Sequence, residues 1–170
     1  MKKTLVAILV AASSLAFAAD KSGVSRTDKE FFDKAAAGGM FEVEVGKLAE
    51  SKAQNADVKA FGSMLVKDHG AANDELKALA QKKNVALPTT LPKAQQKELD
   101  KLSKAKDFDK DFIKHVGLDD HKKDISLFEK TSKNSKDADV KAFASKTLPT
   151  LQQHHQKAEE LSKAMKGKKA

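Results

Sequence analysis

Asp57-Val58-Lys59-Ala60-Phe61 recurs letter for letter as Asp139-Val140-Lys141-Ala142-Phe143, and each copy leads on to a histidine, His69 or His154. A repeated unit of this kind signals two similar halves packed around a shared centre. Beyond the first copy the apolar residues Val58, Phe61, Leu65, Ala72, Leu76 and Leu79 fall three or four apart or at multiples of that spacing, on one face of a helix. Val140, Phe143, Leu151, Ala158, Leu161 and Met165 give the second copy the same kind of face.

Working outward from the repeats, Thr27-Asp28-Lys29-Glu30 has the form of a capping box, which starts a first long helix running to about Lys52. Gly38 and Gly39 on that helix allow a neighbour to come close. Asn55 caps the second helix, which fades near Asn84; Pro88 and Pro92 then mark a loop, and Ala94 to Lys104 read as a short helix. A third long helix is expected from about Asp107 to Lys133, with Phe108, Phe112, Leu118, Ile125 and Phe128 on its apolar face. Asp137 caps the fourth, and Pro149 inside it predicts a kink or local distortion. No stretch reads as a strand. More than twenty residues separate the two hairpins, far more than a bundle loop needs. The expectation is therefore all-α: a ferritin-like antiparallel four-helix bundle, with a long crossover containing a short helix between helices two and three.

The chain start reads as an export signal over residues 1–18: Lys2 and Lys3, an apolar run beginning at Leu5, and Ala16-Phe17-Ala18 as the cleavage site. The apolar part is too short for a lasting membrane span. A mature chain from near Ala19 has about 150 residues, enough for one core, placed here as a single domain over 27–165 with a basic, flexible tail at 166–170. Removing Lys2 and Lys3 lowers the formal charge from +8 to +6, and most remaining lysines alternate with Asp and Glu as on a solvated helical surface. Export and the lack of Tyr and Trp argue against nucleic acid as a partner. The tail lysines leave room for weak contact with an anionic envelope surface. The chain has no cysteine, which excludes disulfides, thiol chemistry and thiolate ligands. A periplasmic or secreted location follows from the signal.

Polar residues interrupt the apolar faces. His69 stands between Leu65 and Ala72, His154 between Leu151 and Ala158, His121 between Leu118 and Ile125, and Glu42 among Ala35, Gly38, Val45 and Ala49. Glu42, His69 and His121 each lie thirteen or fourteen residues from their inter-helix turn, or about 20 Å along a helix. His154 lies three residues further along, a difference that a distortion at Pro149 would absorb. One glutamate and three imidazoles suit zinc, copper or iron. The di-iron pattern is missing, because Val66, Leu118 and Leu151 occupy the positions three before the histidines. A buried hydrogen-bonded Glu/His network that only fixes packing accounts for the same residues, so both readings stay open at this stage. His115 reads as a core-edge histidine and His155 as solvated, while Asp68 and Asp120 point sideways as surface or interhelical partners.

Four segments together resemble the domain of unknown function 4142 family: Met40-Phe41-Glu42-Val43-Glu44-Val45-Gly46-Lys47-Leu48-Ala49, Val66-Lys67-Asp68-His69, Leu118-Asp119-Asp120-His121, and Thr147-Leu148-Pro149-Thr150-Leu151-Gln152-Gln153-His154. The resemblance covers roughly residues 27–163. It implies an exported ferritin-like four-helix bundle, often labelled a membrane or outer-membrane protein, with Glu42, His69, His121 and His154 at its motif positions. No activity comes with it. The chain carries no nucleophile–base motif, phosphate loop or paired catalytic carboxylates. The functional expectation is a transition-metal site serving metal handling or envelope stress tolerance; the alternative is a non-catalytic structural or interaction module.

Overall fold

A computed structural model describes residues 23–167, so the expected signal segment and the end of the basic tail lie outside the described residues. The fold is all-helical among those residues. Its elements are α1 (Arg26–Lys52), α2 (Ala56–Lys82), α3 (Lys93–Ser103), α4 (Phe108–Phe112), a π-helical segment (Ile113–Asp120), α5 (His121–Asn134) and α6 (Ala138–Gly167). The backbone stays helical from α4 through the π segment into α5, so these three form one long rod.

Side chains fix most of the helix starts. Ser25 caps α1 by accepting the Asp28 N–H at 3.1 Å, and its own hydroxyl donates to the Asp28 carboxylate at 2.8 Å. The cap therefore sits two residues before the expected Thr27, because Ser25-x-x-Asp28 supplies the same reciprocal arrangement one half-turn earlier. Asn55 caps α2 and Asp137 caps α6, as their positions predict. Asn84, with φ 54°, turns the chain out of α2.

α1 packs along α2, and the α4–α5 rod packs along α6; α6 also meets α2, and α5 meets α1. Two polar ties show which ends adjoin. The Asp109 carboxylate accepts from the backbone N–H of Gln54 (3.1 Å) and Asn55 (2.7 Å), fastening the start of α4 beside the α1–α2 turn. At the other end Lys83 pairs with Asp137 and, at 2.8 Å, with Asp139, which fastens the end of α2 to the start of α6. The segment carrying α3 thus leaves one end of the helices and arrives at the other, with α3 lying on α1.

The core forms two apolar clusters. Near the α1–α2 turn it contains Val45, Ala49, Val58, Phe61, Leu65, Phe112, Val116 and Leu161. The opposite cluster contains Phe31, Phe32, Leu76, Phe128, Val140, Phe143 and Leu151. The two repeat copies therefore belong to opposite clusters, and each helix runs from its own end towards the polar layer between them. Glycine permits the closest backbone approach: a Cβ on Gly46 would lie 2.8 Å from the Gly62 carbonyl oxygen, so α1 and α2 touch there.

Candidate metal centre

Glu42, His69, His121 and His154 all point inward, at 1, 6, 0 and 1 % exposure. Three of the four converge. One ring nitrogen from each of His69, His121 and His154 lies within 4.8 Å of the others. The ring centres are 5.2 to 5.6 Å apart, and Phe61 lies 6.4 Å from both His121 and His154.

Glu42 occupies a different place. Its Oε1 is 3.7 Å from Nδ1 of His121, whereas His121 turns its other nitrogen, Nε2, towards His154 at 3.2 Å. Glu42 therefore stands behind His121 rather than among the converging nitrogens. Both of its buried oxygens lack a hydrogen-bond partner. Burial, reinforced by Asp124, Asp120 and Glu98, raises its carboxyl well above the ordinary range, which favours the neutral acid.

The hydrogen bonds leave the histidines one proton short. The Val116 carbonyl can only accept, so Nδ1–H of His121 donates to it at 3.0 Å. Nε2–H of His154 donates to the Asp68 carboxylate at 3.0 Å. Burial lowers the His121 pKa to about 4, and burial outweighs Asp68 in lowering that of His154. Both rings are then neutral at neutral pH and have already placed their single protons. Two lone pairs face each other across 3.2 Å, and Nε2 of His69 is buried with no partner at all. Burial and the two neighbouring imidazoles push His69 well down as well. A finished packing network would satisfy these atoms; here the array presents nitrogen donors with no positive charge between them.

One pair of the array already has a metal ion's ligand spacing, and the His69 nitrogen lies within 4.8 Å of it. Ligand nitrogens at about 2.0–2.1 Å from a tetrahedral ion are roughly 3.3 Å apart, close to the His121–His154 separation of 3.2 Å. Asp68 and the Val116 carbonyl hold the outer nitrogens of His154 and His121, the arrangement that orients imidazole ligands. The ion itself would act as a positive charge and Lewis acid in a water-poor site.

Local backbone explains how His121 gets there. The π segment ends at Asp120, immediately before His121, and π turns tend to occur at functional positions. Its Gly117 lies against α6, where a Cβ would come within 2.6 Å of the Ala158 Cβ. Sequence spacing did not reveal this distortion and placed one at Pro149 instead. Pro149 lies inside α6, which continues as a helix on both sides of it. Phe143 packs against Phe31 and Phe128, whereas its counterpart Phe61 reaches the imidazoles.

The remaining candidates separate cleanly. Asp68 is an interhelical partner, bonded from α2 to His154 on α6. His115 is half-exposed beside Asp119, and His155 lies at the edge beside Glu159. Asp120 pairs with Lys123 at 2.7 Å. Asp124 was not singled out from sequence, yet burial and Asp120 push it up to about 7. Its only sequence signal is a position three residues after His121 on the inner side of α5.

Fold and site define an all-helical domain with a buried triple-histidine centre. The chain belongs to the DUF4142 family, a domain of unknown function, whose profile matches residues 13–161. No curated protein matches it. Among solved structures it is similar to CopM in the Cu(II)-bound form (14 % identity, 81 % of this chain, 97 % of that chain, TM-score 0.70) and in the Cu(I)-bound form (15 %, 83 %, 99 %, 0.70). It is also similar to a DUF305 fragment from Deinococcus radiodurans (9 %, 83 %, 98 %, 0.71). At these identities the likeness concerns the helical fold.

Proposed function

We propose that this protein handles a transition metal, holding one ion through His69, His121 and His154 with Glu42 behind His121. The observation that carries the reading is the unsatisfied donor array: three buried histidines with ring nitrogens within 4.8 Å of one another, among which Nε2 of His69 has no partner. Imidazole donors suit copper, zinc and iron. Copper comes first because two structural neighbours are described as copper-bound forms. The crossover from the Lys83 end to the Asp109 end supports a ferritin-like antiparallel four-helix bundle as the finer topology. The N-terminal Lys2-Lys3, apolar run and Ala16-Phe17-Ala18 support export to the periplasm, where metal handling or envelope stress tolerance is the role. Among the described residues no helix is long and apolar enough to cross a membrane.

The test is calorimetric titration of untagged, metal-free protein with Cu(II) and Zn(II). One ion per chain is expected, with stabilisation of about 2.7 kcal/mol at a free concentration a hundredfold above Kd. Sub-stoichiometric binding with no thermal shift would leave the packing-only module as the correct reading.

A further inference from the structure

The geometry points to an open coordination position at the histidine centre, facing a groove between α2 and α6 that admits a small exogenous donor. This rests on the metal reading above. The two carboxylates that approach the histidine rings most closely stand on their outer edges. Glu42 faces Nδ1 of His121 and Asp68 faces Nε2 of His154, while those rings turn Nε2 and Nδ1 inward. The two nitrogens of an imidazole point in widely different directions, so neither carboxylate shares the inner side with the converging nitrogens. Among the described residues only the three histidines offer converging ligand atoms. Three protein ligands leave a four-coordinate ion one place to fill from solution, as reactive rather than structural sites do.

The groove says where that place faces. Of the three histidines, His121 is fully enclosed, but His69 and His154 both line a cavity of about 330 Å³ between α2 and α6. Its other walls include Ala71, Thr147 and Thr150. At its rim Lys146 reaches from α6 to Glu75 on α2, at 2.7 and 2.9 Å. That pair is exposed on both sides and cheap to open. A second cavity beside His69 measures only about 20 Å³, room for roughly one water molecule. A three-atom anion therefore reaches the ion through the groove, the smaller cavity being too small to hold it.

Azide added to the Cu(II)-loaded protein tests this. The expected result is a saturable azide-to-copper charge-transfer band. Azide affinity should fall at least tenfold in Ala71→Trp, which fills the groove from an exposed position on α2, with copper stoichiometry unchanged. Thr150→Phe fills it from α6 and should act alike, so one well-folded variant suffices. Copper bound by the histidines without an azide band would overturn the open position while leaving the metal reading intact. A band unaffected by either folded variant would overturn the groove as the route. Failure to bind copper at all would overturn both.

Discussion

Replacing Asp124 with Asn should stabilise the metal-free protein in mild alkali but not in acid. Burial, reinforced by Asp120 and partly relieved by Lys123, pushes the Asp124 carboxyl from 3.8 up to about 7. A carboxyl raised in the fold binds its proton more tightly there than in the unfolded chain. The folded state is therefore penalised in full above the folded pKa, and the penalty fades as pH falls towards the unfolded value. About three units at 1.36 kcal/mol each set an upper bound of roughly 4 kcal/mol; partial exposure of the side chain reduces the expectation to about 2 kcal/mol. Asparagine has the same shape and no charge. Urea unfolding of both proteins at about pH 8 and about pH 4.5 reads the difference, provided the m-values agree. The variant should be more stable in the alkaline pair and nearly equal in the acidic pair. An equal difference at both values, or a less stable variant at the higher one, would refute the burial argument. Asp124 also lines the small cavity beside His69, so a bound cation should shrink the advantage of Asn.

Three other changes separate the roles of nearby residues. His69→Leu removes a buried nitrogen that has no partner, so thermal unfolding should show the metal-free protein stabilised by about 1–2 kcal/mol, with the shift on adding copper lost. Asp68→Asn keeps the shape but weakens the hold on His154; titration should give roughly 10–100-fold weaker metal binding at nearly unchanged stability. Gly46→Ala places a Cβ 2.8 Å from both the Gly62 carbonyl oxygen and the Val66 Cγ2, and should cost about 1–3 kcal/mol in urea unfolding. Gly70→Ala is its control, because nothing lies within 4 Å of the added atom and helix propensity alone should add up to about 1 kcal/mol.

Much of this was legible in the sequence because helical periodicity and caps are local. Asn55 and Asp137 mark their helix starts, and the apolar rows of α2 and α6 supply buried Val58, Phe61, Leu65, Val140, Phe143 and Leu151. Comparable rows on the other two long helices show which residues interrupt the core, and Glu42, His69, His121 and His154 are all buried. Which nitrogen faces which neighbour was not legible, because that depends on rotamers and on packing across helices. Glu42 lies near the right height and on the right face, yet stands behind His121. The π turns escaped for a related reason: Ile113 to Asp120 contain no proline and an ordinary helical composition, and the close approach of Gly117 to Ala158 depends on packing across helices. Pro149 carried the stronger local signal, and α6 continues as a helix on both sides of it.

X-ray absorption at the copper edge, on untagged protein loaded with one equivalent of Cu(II), tests the central claim most directly. Three imidazole nitrogens at about 2.0 Å are expected, falling to two in His121→Ala. A first shell of oxygen atoms, or a spectrum indifferent to the loss of His121, would contradict a metal centre built on these histidines.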